Sequence, residues 1–232
     1  MRAVPGATIS EKLGASAGAW AVLWLSIHYL ILRNAMANPL TGALTPDGDY
    51  VRALLDQRMA WESATALRVM GGIMIIWFMG SLGSRLRMAE GEPGRLASIA
   101  FGIGVVWGAI WLLSAMLNSS AIVLAAQYNN PAGSRLAGAL AQEMVVTLTP
   151  SLIFTLSLAT AFVGLRFGGF PRGYTYATTA FSVLILALAI ADWYGPGNLG
   201  NLILVLAFAW TALTSLLLVP AWVPADLVHG TR

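Results

Sequence analysis

The stretch LASIAFGIGVVWGAIWLLSAML, Leu96–Leu117, decides the fold of this chain. It contains no charged side chain, and the charge-free run continues to Ser134. An apolar run of roughly 20 residues, wound as a helix, matches the ~30 Å hydrocarbon core of a bilayer. Lipid offers no partner to backbone amides and carbonyls, so the helix that pairs them internally is the expected conformation.

Outward from this run, similar stretches recur on both sides. Spans are expected at about residues 15–32, 64–83, 96–117, 144–165, 174–191 and 199–219. The fold class is therefore all-α: a polytopic membrane protein with a six-transmembrane-helix bundle, treated as a single integral membrane domain over residues 1–232. Composition agrees, with 58% hydrophobic and 10% charged residues, against roughly 25% charged in ordinary soluble domains. Trp61, Tyr174, Tyr176, Trp193, Tyr194 and Trp222 fall at the expected span ends, where amphipathic rings sit at headgroup level. The net charge of +3 reflects arginines at helix ends and does not point to nucleic acid. The sequence has no cysteine, which removes disulfides, thiolate metal sites and cysteine nucleophiles from consideration.

Arg2 and Lys12 precede the first run, and Ala35-Met36-Ala37 resembles a signal cleavage site. The run from Leu13 to Leu32 is longer than a signal h-region, so a retained first helix is expected. Two short amphipathic surface helices are expected on the outer side, Asp49–Glu62 and Ser134–Glu143. The first would bury Val51, Leu54, Leu55 and Met59 and be capped by Asp49; the second would bury Leu136 and Leu140. The third span, if continued to Gln127, would be about 48 Å long. It either breaks near Asn118-Ser119-Ser120 or projects into water. Pro150 stands near the start of the fourth span as a kink or first-turn residue.

Arg85, Arg87, Arg95, Arg166 and Arg172 flank two short loops that fall on one side of the membrane. The bias of arginine and lysine toward the cytoplasm places these loops, and both termini, inside.

Few residues suggest chemistry, and no catalytic residue or metal ligand set is expected. His28 is an ionisable group within the first span, a candidate proton relay or ligand; its plainer role is a hydrogen bond to a neighbouring helix. His229 would lie at the opposite end of the bundle. Arg68, close inside the second span, is expected to snorkel outward. Arg68, Glu143 and Asp192 lie at the outer ends of their spans and, with Asn118 and Tyr194, could converge into a substrate-binding cluster. Interface anchoring is the plainer account. Met70 and Met74 stack one turn apart, more in keeping with packing than with Cu(I). Gly71, Gly72, Gly104 and Gly108 form small-residue faces on which helices approach closely, within the bundle or against a partner. No cofactor is implied.

Two hairpins carry a resemblance. Gly83-Ser-Arg-Leu-Arg-Met-Ala-Glu-Gly-Glu-Pro-Gly-Arg-Leu-Ala-Ser-Ile-Ala-Phe101 resembles an "LRxxLRRAEGGPGRLAxLAF" loop, and Leu165-Arg-Phe-Gly-Gly-Phe-Pro-Arg172 resembles "LRxGxLPRW". Both patterns are those of an uncharacterised family of bacterial six-helix integral membrane proteins, a domain of unknown function. The resemblance implies a six-helix fold in the bacterial inner membrane and carries no activity or site residues.

Three functions remain open. One is a subunit or interaction partner of a larger membrane assembly, in contact with lipid and other membrane subunits. The second is a transporter or lipid-binding protein with an outward-facing cavity at Arg68, Asn118, Glu143 and Asp192. The third is an intramembrane enzyme using His28 as acid or base.

Overall fold

A computed structural model describes residues 9–36, 46–194 and 199–218. Expectations resting on Arg2, His229, Trp222 and the turn-rich segment before Pro46 lie outside the described residues. The described chain forms α1 (Ile9–Met36), α2 (Asp47–Asp56), α3 (Arg58–Glu90), α4 (Arg95–Ala126), α5 (Pro131–Phe167), α6 (Arg172–Tyr194) and α7 (Gly200–Leu218), with no strand among the described residues. All but α2 are long and apolar enough to cross a membrane.

Five of the spans close a ring. α1 packs between α3 and α7, α4 between α3 and α5, and α5 reaches across to α7. α6 lies outside this ring, against α5 and α7, and is the least buried span. Without a hydrophobic force between helices in lipid, α6 is held by hydroxyl contacts at helical spacing. Ser182 Oγ donates to Ser157 Oγ at 2.9 Å, and the hydroxyls of Tyr174 and Thr214 pair at 2.8 Å. The rings of Phe181 and Trp210 stack with centroids 5.9 Å apart.

α4 runs unbroken through Asn118-Ser119-Ser120, so the third span projects. α5, at 37 residues, extends about 55 Å, some 25 Å beyond the hydrocarbon thickness. It absorbs the segment expected as a separate surface helix, Ser134–Glu143. Asn130 accepts the Gly133 N–H at 2.9 Å, Pro131 occupies the first turn, and nothing breaks the helix between Glu143 and Met144. Its buried side is Ser134, Ala137 and Ala141, whereas Leu136 and Leu140 are exposed. Small side chains let the backbone close on α4, where Ser134 Oγ donates to the Ala121 carbonyl at 2.7 Å. Pro150 lies well inside this helix, tolerated in a span whose neighbours can re-satisfy the freed backbone.

The Asp49–Glu62 expectation is also corrected. α2 begins at Asp47 after Pro46 and ends at Asp56; Asp49 pairs with Arg52 at 3.8 Å and is not the cap. Tyr50, Ala53 and Leu54 form the buried face, and Met59, 79% exposed, already belongs to α3. Tyr50 and Leu54 join Trp61, Ala64, Ile122 and Ala125 in a small hydrophobic cluster separate from the main core. The Arg135 guanidinium of α5 lies 4.5 Å over the Tyr50 ring. α2 thus roofs the end where α3 starts, α4 finishes and α5 starts.

At the opposite end the two basic loops meet. Arg85 Nη2 donates to the Gly169 carbonyl at 3.1 Å. Gly169 has φ +89°, and a Cβ there would collide with Ala89, so only glycine fits this turn without strain. Glu90 caps α4, accepting the N–H groups of Leu96 and Ala97 at 3.0 and 2.8 Å.

Candidate functional site

Glycines set the helix spacing that builds the polar centre. Gly72 of α3 and Gly108 of α4 approach backbone to backbone, and Gly71 receives the Leu25 side chain of α1. The four glycines singled out in the sequence are therefore used inside the bundle, Gly104 by the Met79 side chain. One turn outward from these crossings, α1, α3 and α4 bring His28, Arg68 and the Trp111–Ser114 turn together.

Arg68 is 2% exposed. It does not snorkel; its guanidinium turns inward. Nε and Nη2 lie 3.2 and 2.9 Å from His28 Nε2, and Nη1 donates to the Ser114 carbonyl at 3.4 Å. His28 Nδ1 lies 2.7 Å from the Ala64 carbonyl. A carbonyl can only accept and a guanidinium can only donate. The proton of the imidazole therefore sits on Nδ1, and the Nε2 lone pair faces Arg68. The Trp111 ring completes the enclosure, edge-on to His28 with centroids 6.2 Å apart and 5.8 Å from the Arg68 guanidinium carbon.

The centre is cationic and lacks a counter-charge among the described residues. The ion pairs Arg52–Asp49 and Arg58–Glu62 are both exposed and both outside this centre. Burying a charge without an opposite partner carries a desolvation cost of several kcal/mol.

The other residues proposed from sequence are distributed as follows. Asn118 is buried on α4, one turn beyond Ser114, and its Nδ2 has no hydrogen-bond partner. Glu143 is exposed on α5 and accepts from Thr147 Oγ1 at 3.4 Å. Asp192 accepts the Leu199 N–H at 2.8 Å, tying the end of α6 to the start of α7. Tyr194 is 85% exposed. The structure joins Arg68 directly to His28, while Glu143 and Asp192 have local partners of their own. Among the described residues no three His, Asp or Glu side chains converge to hold a metal ion. Sequence reasoning missed Trp111, Ser114 and the Ala64 carbonyl. The available signal was the spacing of Trp111, Ser114 and Asn118, and of Trp61, Ala64 and Arg68, at i, i+3 and i+7 on one helix face.

No protein-family model, curated protein or solved structure matches this chain. What stands is a six-span, all-α polytopic membrane protein.

Proposed function

We propose that the protein is an integral membrane subunit or interaction partner of a larger bacterial membrane assembly, and that α6 is the helix it offers to that assembly. The observation that carries this reading is the outward face of α6. Ala177, Ala180, Leu184, Ala187 and Ala191 are all exposed and recur at alternating intervals of three and four residues. Small residues in that register let a second helix approach closely in lipid. Gly71, Gly72, Gly104 and Gly108 already meet neighbours within the bundle, whereas this mainly alanine stripe faces outward.

The enzymatic reading is less well supported. An acid–base role for His28 needs a ring nitrogen free to meet substrate, and both are engaged, one by Ala64 and one by Arg68. The basic loops around Arg85 and Arg166 support cytoplasmic termini in a bacterial inner membrane.

The absence of cysteine makes the test direct. Single substitutions Ala180→Cys and Ala187→Cys, treated with a thiol cross-linker in native membranes, are expected to give one discrete higher-mass adduct. Val106→Cys, on an exposed face of α4, is expected to give none. A monomer at every α6 position, with nothing co-purifying in mild detergent, overturns the proposal.

A further inference from the structure

We propose that the buried end of the α3–α4 interface beneath α2 is a binding site for an oxyanion, a phosphate or carboxylate group, held by Arg68, Trp111 and Asn118. This goes beyond the partner reading and is independent of it.

The first argument is an imbalance of donors. A guanidinium offers five N–H groups and no acceptor. Here three of its nitrogens address two acceptors, and two of them share a single lone pair on His28 Nε2. Trp111 Nε1 and Asn118 Nδ2 are buried on the same face of α4 and have no hydrogen-bond partner. Trp61 Nε1, two turns before Arg68 on α3, is likewise unpaired. Buried polar groups are nearly always paired, and an exception asks for a reason. On α3 and α4 the exceptions are all N–H groups. The orphaned acceptors, Gln57 Oε1 and Asn201 Oδ1, belong to the α2–α3 junction and to the start of α7.

The second argument is charge. The centre is a buried cation whose described neighbours include no carboxylate. A cationic or donor ligand would worsen both imbalances. An oxyanion corrects both at once, because it brings negative charge and several acceptor lone pairs, and its paired oxygens match the guanidinium fork.

Position narrows the source. His28 lies five residues before Arg33, the first charged residue after the apolar run of α1, so the site sits near headgroup level and not at mid-membrane. An acidic phospholipid headgroup or a free oxyanion from water could supply the same chemistry. Tyr50 and Leu54 of α2 cover the site through their packing on Trp61 and Ala64, and Gln57 alone separates α2 from α3. A ligand arriving from water therefore passes beneath α2.

The test uses the full chain in phosphatidylglycerol or phosphatidylcholine nanodiscs and in detergent with sodium phosphate, acetate or chloride. Binding is read by native mass spectrometry and by melting temperature. Trp111→Phe removes an N–H group that bonds nothing in the protein, and Asn118→Leu keeps approximate size while removing the whole amide, whose Nδ2 is unpaired, so both variants are expected to fold. Wild-type protein is expected to retain phosphatidylglycerol over phosphatidylcholine, or to be stabilised by phosphate or acetate over chloride. Each variant should weaken that binding about 10-fold, equivalent to about 1.4 kcal/mol. A lipid adduct identifies the headgroup as the source; stabilisation by a soluble anion without a lipid adduct identifies a free oxyanion. Binding of no probe, equal binding of chloride or phosphatidylcholine, or affinities unchanged in both variants overturns the assignment.

Discussion

Gly72 and Gly108 face each other so closely that a Cβ on either would stand 3.0 Å from the other's carbonyl oxygen. The contact is reciprocal and backbone to backbone, and an added Cβ would also meet the Ile76 side chain at Gly108 and the Leu112 side chain at Gly72. It fixes the distance between α3 and α4, and with it the reach of Arg68 toward α4 one turn away.

Gly108→Ala is therefore expected to cost about 1–3 kcal/mol, the usual penalty for overpacking. Gly102 lies on the same helix with open space where its Cβ would be. Gly102→Ala should be neutral, or stabilising by up to about 1 kcal/mol through helix propensity. Melting in detergent compares them. Equal effects of the two substitutions would show that the α3–α4 crossing is looser than described.

The His28–Arg68 couple predicts strong non-additivity. His28→Leu strips the guanidinium of its principal acceptor and should cost about 3–5 kcal/mol, as for other broken buried charge interactions. Arg68→Leu leaves only an unpaired imidazole nitrogen, at about 1–3 kcal/mol. In the double variant neither liability remains, so the loss should fall short of the sum by at least about 1 kcal/mol. Unfolding followed by circular dichroism in a graded detergent mixture measures all three. Strict additivity would mean that the two side chains do not interact in the membrane.

Topology is open to direct labelling. Cysteines placed at Glu92 and Gly173 probe the two basic loops, and one at Arg52 probes the exposed side of α2. A membrane-impermeant maleimide applied to right-side-out vesicles should label Arg52→Cys alone; inverted vesicles should reverse the pattern. Labelling of Glu92→Cys and Arg52→Cys from the same face would contradict a six-span path in which α3 crosses the membrane.

Much of the fold was legible in the sequence. The run at Leu96–Leu117 and its counterparts announced six spans, because transfer of an apolar segment into lipid is a sum over its own residues and needs no knowledge of neighbours. Helix ends were less legible. Ser134–Glu143 and Met144–Leu165 differ in polarity, which suggested two elements, yet backbone hydrogen bonding continues through a change of solvent when no breaker intervenes. Arg68 was expected at the surface because a lone guanidinium seeks water. His28, forty residues earlier on another helix, supplies an acceptor that the local sequence around Arg68 does not reveal.

The chain's own letters determined that it spans lipid six times, that its basic loops share one end, and that glycines bring helices close. Only the tertiary structure decided which glycine meets which, that α6 stands outside the ring, and that Arg68 turns inward to His28 beneath α2. The physical reason is that burial in lipid is additive along a segment, whereas hydrogen-bond partnership depends on distance and angle between segments remote in sequence.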